Sequence, residues 1–318
     1  MTAPTGGGGL PEVLAVTGPT ASGKTALAIE LAERLSTEVI SADSMQVYKG
    51  MAIGVAAPSA AQQARVCHHF IGFLSLDETF SAGRFQHEAR AVVANLRKHG
   101  KPAVVAGGSG LYVRALIDGL FEGPPADEAV RKGLRERADS EGVPALYAEL
   151  QRLDPDYAGD IHEGDLRRIV RALEVRELTG RPFSELHREH RGRTDSLKAL
   201  QVALDWPRDQ LYARIDRRAD DMLGKGLMDE VRTLLEQGYG PRIERLRTLG
   251  YRELGAHLRG EIPLEDAMAT LKQNTRRFAK RQLSWFRGDN RIVWYPASNA
   301  ENPLSLVDAI LERFRGYA

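Results

Sequence analysis

The chain has one cysteine in 318 residues, no long apolar run and almost no net charge. A single thiol, Cys67, excludes an intramolecular disulfide and a Cys-rich metal site and suits a reducing compartment; Cys67 itself reads as a small buried or neutral residue. The longest apolar runs are of strand length. The segment from Met1 to Gly9 has neither a basic region nor an apolar stretch, so neither a membrane span nor a secretory leader is expected, and the expected location is cytoplasmic. With 44 Lys and Arg against 43 Asp and Glu, the net charge is +1, so a nucleic-acid surface has to be a local patch. No fixed-period repeat and no long low-complexity segment is visible. Of the 8 histidines, His68-His69 and His187 with His190 come nearest to metal spacing, but no third ligand is placed with them and no zinc site is expected.

What is present is an alternation of short apolar runs with helical patterns. Strand-like runs fall at 13–16, 39–41, 103–106, 200–204 and 292–294. Strands alternating with helices imply an α/β fold with a parallel sheet covered on both faces. The helix ahead of Pro102 carries Phe85, Ala89, Val92, Val93 and Leu96 on one side. From 123 to 199 the strand signals stop and charged helical patterns follow one another. The expected organisation is a disordered Gly-rich leader (1–9), a core (10–122 and 200–318) and a helical insertion (123–199). Later helices are expected at 211–223, 228–235, 251–258 and from 264 to about 286.

Residues 18–25 read Gly18-Pro19-Thr20-Ala21-Ser22-Gly23-Lys24-Thr25, two glycines four residues apart followed by Lys and a hydroxyl residue. Between an apolar run and an amphipathic helix this is a phosphate-binding loop. Its N–H groups converge on anionic oxygens, Lys24 adds a cation, and the Thr25 hydroxyl suits Mg²⁺. The second strand-like run leads into Asp43, which belongs beside that loop at the carboxyl end of the sheet. Asp43 there either helps hold Mg²⁺ or accepts a proton from an attacking group; spacing does not choose. The third run ends in Gly107-Gly108-Ser109-Gly110 where a nucleotide hydrolase usually shows an acidic residue, which suggests a backbone approached closely by something bulky.

Basic residues cluster in four places. In the insertion, Arg167, Arg168 and Arg171 flank an apolar stripe of Leu166, Ile169, Val170 and Leu173, with Glu174 and Glu177 in helical reach. Lys272, Arg276, Arg277, Lys280, Arg281, Arg287 and Arg291 face one acid in their own segment, Asp289, a stripe that suits a phosphate backbone. Leu264, Met268, Leu271 and Phe278 beside them read as core. Arg214, Arg217 and Arg218 offer guanidinium forks for phosphates, and 247–252 form a basic, Gly-containing turn.

These pieces, in this order, resemble the bacterial tRNA dimethylallyltransferase family. The matching segments are 18–25, Ser41-Ala42-Asp43-Ser44-Met45-Gln46-Val47-Tyr48, Gly107-Gly108-Ser109-Gly110-Leu111-Tyr112, 166–174, Arg247-Thr248-Leu249-Gly250-Tyr251-Arg252-Glu253 and 279–286. Ser109 and Ser284 stand where the family often has Thr, and both keep the hydroxyl. The resemblance implies transfer of a dimethylallyl group from its pyrophosphate to N6 of adenine 37 in the anticodon stem-loop of tRNA, with Mg²⁺, by a protein for which a monomer suffices. It implies that Asp43 is the base, that Thr20, Lys24 and Arg218 act on the pyrophosphate, and that Ser44 and Gln46 recognise the base or its neighbours. It also places Met45, Ser109, Arg131, Arg167, Arg168, Ile169, Val170, Arg171, Arg247, Thr248, Leu249, Gly250, Tyr251, Arg252, Lys280 and Arg281 against tRNA. The alternatives are an ATP-dependent small-molecule kinase, an adenylate prenyltransferase, and a non-catalytic RNA-binding regulator.

Overall fold

The computed structural model of the chain describes residues 10–121, 123–191, 196–298 and 303–317; the leader expected at 1–9 lies outside them. The first elements are β1 (Val13–Thr17), α1 (Lys24–Arg34), β2 (Val39–Ser41), α2 (Ala60–Arg65), β3 (His68–His69), α3 (Ala82–Lys98), β4 (Ala103–Ala106) and α4 (Gly110–Asp118). Five helices follow: α5 (Glu128–Glu141), α6 (Val143–Leu153), α7 (Pro155–Gly159), α8 (Leu166–Thr179) and α9 (Phe183–Arg191). The chain closes with β5 (Ala199–Asp205), α10 (Arg208–Gly224), α11 (Leu227–Glu236), α12 (Gly240–Leu246), α13 (Tyr251–Leu258), α14 (Leu264–Arg287), β6 (Ile292–Pro296) and α15 (Val307–Arg315).

The strands form one six-stranded sheet in the order β3-β2-β4-β1-β5-β6, and every pairing is parallel. All five residues of β1 are buried, as a strand covered on both faces requires. Alternation divides them: Val13 and Ala15 enter the core on one face, Leu14 and Val16 the core on the other. Each of the five expected strand runs is a strand, lengthened by a few residues where its ends differ. β3 was not expected, because two histidines carry no apolar pattern; it forms by pairing Val39 with His68 and Ile40 with His69.

The chain divides into two compact units, 10–117 with 197–317 and the insert 118–196, whereas 123–199 was expected. Leu197 N–H donates to the Ile117 carbonyl at 2.9 Å, so the first unit resumes where it broke off. The insert has its own core, with Leu146, Leu150, Ile169 and Leu173 all at most 4% exposed. At one edge of that core Glu174, wholly buried, accepts from Asp127 N–H (2.8 Å), Arg131 (2.9 Å) and Arg171 (2.7 Å). Burial alone would raise its pKa; those three partners outweigh burial and hold it below the ordinary value.

All three tryptophans, Trp206, Trp285 and Trp294, belong to the first unit, so their fluorescence reports on it alone. Glu174→Ala strands two arginines and is expected to destabilise the insert by about 3–5 kcal/mol. Urea unfolding checks it: the helical circular dichroism of the insert should be lost well before the tryptophan signal changes, and coincident, unshifted transitions would contradict it.

Candidate active site

The phosphate loop leaves β1 at the centre of the sheet, where the connections depart to opposite sides, the usual ligand position in an open parallel sheet. A cavity of about 310 Å³ opens there, lined by Thr20, Gly23, Lys24 and Thr25 of the loop, Ser41 at the end of β2 with Asp43 and Gln46 beyond it, Ala106 at the end of β4 with Gly107 and Gly108 beyond it, Arg214 and Arg218 of α10, and Phe278 and Gln282 of α14. Gln282 ties three of these together: its Oε1 accepts from Thr20 N–H at 2.8 Å and its Nε2 donates to the Gly108 carbonyl at 3.0 Å. A residue with a side chain at Gly108 would place Cβ 2.1 Å from the Gln282 amide, and at Gly107 2.1 Å from the Ala42 carbonyl oxygen. The bulky neighbour expected at this glycine turn is therefore the protein itself, α14 and the strand-end backbone.

The loop is braced from behind. Trp206 Nε1 donates to the Ser22 carbonyl at 2.9 Å, Arg214 Nε to the Ala21 carbonyl at 3.0 Å, Lys24 to the Pro19 carbonyl, and Arg218 to the Thr20 hydroxyl. Three cations, Lys24, Arg214 and Arg218, thus face a cavity in which Asp43 is the one acidic residue of the lining. Burial, with help from Arg218 and against the pull of Asp43, lowers the Lys24 ammonium from 10.5 to about 7. Arg218 is likewise lowered by burial, opposed by Asp43. Asp43 is raised by burial, opposed by the N–H groups of Met45 (2.9 Å) and Gln46 (3.4 Å) on its Oδ1, then by the two cations. A bound polyanion fits this imbalance, because it supplies the negative charge that burial has withheld from the cations. The Thr25 hydroxyl and the Asp43 carboxylate are hard oxygen donors on the same cavity, the donor type that suits Mg²⁺.

Several expected site residues lie elsewhere. Ser44 and Ser109 join each other, Ser44 N–H donating to Ser109 Oγ at 3.2 Å, and Met45 receives the Thr248 hydroxyl on its sulfur at 3.3 Å. In the 247–252 turn, Thr248, Gly250 and Tyr251 are buried and Leu249 is half-buried; Arg252 pairs with Glu244 at 3.1 Å, which leaves Arg247 as the exposed cation there without an acidic partner among the described residues. In the insert, Arg131 and Arg171 are held on Glu174, Arg168 pairs with Asp165 at 3.3 Å, Ile169 and Val170 are core, and Arg167 is exposed.

The α14 stripe is more neutral than its own sequence implies. Lys272 pairs with Asp220 (2.7 Å) and Arg276 with Asp216 (2.6 Å), both acids one helical turn apart on α10, while Arg287 meets Asp205 (3.1 Å) and Arg291 meets Asp289 (2.7 Å). Asp289 is thus not the only acid these cations face. Arg277, Lys280 and Arg281 have no acidic partner among the described residues. Phe278 corrects a second expectation: it is 36% exposed at the cavity, with the Arg281 guanidinium 5.8 Å above its ring, whereas Met268 and Leu271 are core. Cys67 is exposed rather than buried. It sits 4.0 Å from His69, whose Nε2 is already engaged at 2.6 Å by Glu38. Gln282 was overlooked in the sequence, although an amide on the apolar face of α14, between Ala279 and Phe286, is the signal that marks it.

Comparison with known proteins finds relatives over nearly the whole chain. Residues 46–289 match the family model described as IPP transferase. The tRNA dimethylallyltransferase 2 of Syntrophus aciditrophicus is 46% identical over 294 residues, 92% of this chain and 94% of that protein, and the tRNA dimethylallyltransferase of Geobacter metallireducens is 43% identical over 95% and 96%. Among solved structures, the tRNA isopentenylpyrophosphate transferase of Bacillus halodurans superposes with a TM-score of 0.68 at 37% identity, covering 96% of this chain and 97% of that one. A eukaryotic dimethylallyltransferase acting on tRNA gives 0.82 at 28% identity, over 96% and 79%. With the family model matched over residues 46–289 and relatives above 40% identical along nearly the whole length, the chain belongs to the IPP transferase family.

Proposed function

We propose that this protein transfers a dimethylallyl group from dimethylallyl pyrophosphate to N6 of adenine 37 in tRNA. The observation that carries the reading is the single carboxylate, half-buried Asp43, among the cations of the phosphate cavity. A kinase or hydrolase needs its metal and its nucleophile organised on a phosphorus, whereas this lining holds one acid, Asp43, for one proton. The family generally uses a divalent metal; Mg²⁺ is the proposed ion, which the Thr25 hydroxyl would help hold and which would supply neutralisation of the leaving group.

The residues divide the work by charge. As the allylic C–O bond breaks, negative charge collects on the departing pyrophosphate, and the loop N–H groups, Lys24, Thr20 and Arg218 stabilise it. The exocyclic amine is a weak nucleophile because its lone pair is delocalised into the ring; Asp43 accepts its proton as the new C–N bond forms. Met45 and Gln46 N–H groups hold that carboxylate in place. Adenine 37 has to leave its stack to reach the cavity, at a cost of a few kcal/mol that loop contacts offset. Phe278 offers it an aromatic face at the cavity, and Arg277, Lys280, Arg281 and Arg247, without acidic partners among the described residues, supply phosphate contacts for the anticodon stem-loop. On the insert, considered by itself, Arg167 and Arg168 are the exposed arginines proposed to contact tRNA. A monomer is proposed, since no role in this scheme calls on a second copy. A cytoplasmic location is proposed; among the described residues no helix is long and apolar enough to cross a membrane.

The deciding experiment incubates the protein with labelled dimethylallyl pyrophosphate, Mg²⁺ and an anticodon stem-loop bearing adenine at 37; label is expected in the RNA, and ATP consumption without labelling would replace this reading with a kinase. Asp43→Asn is expected to lower kcat by about 10²–10⁴-fold while the RNA Kd stays within twofold, measured by single-turnover labelling and fluorescence anisotropy. The pH dependence follows from Lys24. Its folded pKa of about 7 leaves it charged below that pH and neutral above, while a bound pyrophosphate favours the charged form. Donor binding at pH 8 should therefore take up a proton, and affinity should weaken by up to about tenfold per pH unit above 7. Calorimetry in two buffers of different ionisation enthalpy reads the uptake, and Lys24→Arg should abolish it. Lys280→Glu with Arg281→Glu should weaken RNA binding and flatten its salt dependence; an unchanged slope removes these residues from the interface.

A further inference from the structure

The geometry points to Glu230, with Tyr251, as a positioning residue for transfer: it anchors residues 52–56 as a strap whose carbonyls orient Gln46 in the cavity. The inference rests on the prenyl-transfer reading of that cavity. Neither Glu230 nor Tyr251 lines the cavity. Their effect is transmitted through backbone.

Glu230 stands in the first turn of α11, yet its carboxylate is spent on another segment. Its oxygens accept from three successive N–H groups, Ala52 (2.9 Å), Ile53 (2.8 Å) and Gly54 (3.1 Å), and from the Tyr251 hydroxyl (2.5 Å). Successive N–H groups converging on one anion are a concave backbone site that an anion stabilises, and here the anion is supplied by the chain itself. Tyr251 is wholly buried, and the strap is pressed onto it: a Cβ at Gly54 would lie 2.4 Å from the Tyr251 ring.

The next two residues face the cavity. Gln46 Nε2 donates to the carbonyls of Val55 (3.2 Å) and Ala56 (3.1 Å), and its Oε1 accepts from Ser41 Oγ at 2.8 Å. Both amide ends are thereby committed, so the side chain has one orientation. Ala56 reaches its position with φ 51, a left-handed conformation that an L-residue holds only when its surroundings impose it. The turn is closed by backbone bonds, Ala56 N–H to the Ile53 carbonyl at 3.0 Å and Ala57 N–H to the Ala52 carbonyl at 2.9 Å, and Glu230 clamps the N–H groups of those same two residues, Ala52 and Ile53. Val55, Ala56 and Gln46 all line the cavity, and the Gln46 N–H reaches Asp43. Removing the clamp frees Gln46 and the wall beside it, and misplacement of about 1 Å near reacting groups is enough to slow a reaction substantially.

The test is a double-mutant cycle in the labelling assay. Glu230→Gln keeps the shape, loses the charge and one acceptor oxygen, and is expected to lower kcat/KM for the prenyl donor by about tenfold with the RNA Kd unchanged. Tyr251→Phe, the milder variant, should act in the same direction by a few-fold. In a Gln46→Ala background, Glu230→Gln should cost less than twofold, since the group it positions is gone. Equal fold-losses in both backgrounds overturn the proposal, as does a lowered Tm in either variant with kcat and KM unchanged. Absence of transfer by the unaltered protein overturns instead the reading of the cavity on which the clamp depends.

Discussion

Gln282 reaches from the C-terminal part of α14 into the gap between two glycine turns, and its amide satisfies the Thr20 N–H of one and the Gly108 carbonyl of the other. The phosphate loop, the turn after β4 and α14 become walls of one cavity because that single side chain bonds in both directions. The turn after β4 has no room for a side chain on its side of the contact, and among the described residues that N–H has no other side-chain partner. Everything proposed for the chemistry presupposes this closure, since Asp43 and the phosphate loop face one ligand only while the walls keep their spacing.

Charge follows from the same enclosure. Lys24, Arg218 and Asp43 lie half-buried on one cavity, and their partial removal from water disfavours every ion among them, lowering the cations and raising the carboxylate. A pyrophosphate reverses the balance for the cations, and an amine losing its proton needs a carboxylate of raised basicity. The site is thus poised by desolvation for a ligand that brings its own negative charge. By contrast, the insert spends buried charge on itself: Glu174 is matched by Arg131 and Arg171, an arrangement that orders a helical core.

The basic surfaces show how far composition along one helix misleads. Four of the seven cations near α14 are paired with acids, two of which lie on α10 more than fifty residues earlier, so the free cations narrow to Arg277, Lys280 and Arg281. Between them stands Phe278, whose position in an apolar stripe reads as core until the cavity beside it is seen. The strap at 52–56 is a further instance. It carries no residue that sequence reasoning would select, yet its carbonyls hold one residue that the sequence did mark, Gln46.

From residue order alone came the phosphate loop, the five main strands and the helical character of the insert, because each rests on neighbours a few positions apart: glycine spacing, apolar runs and helical stripes. Asp43 was placed beside the loop for the same reason, since a parallel sheet brings its strand ends together whatever their separation in the chain. Tertiary structure decided the rest. Gln282 meets Thr20 across 262 residues, Glu230 meets Ile53 across 177, and β3 exists only as the partner of β2. Hydrogen bonds and ion pairs of this kind leave no periodic trace, because either partner alone is an ordinary polar residue and only the packed fold says which one it meets.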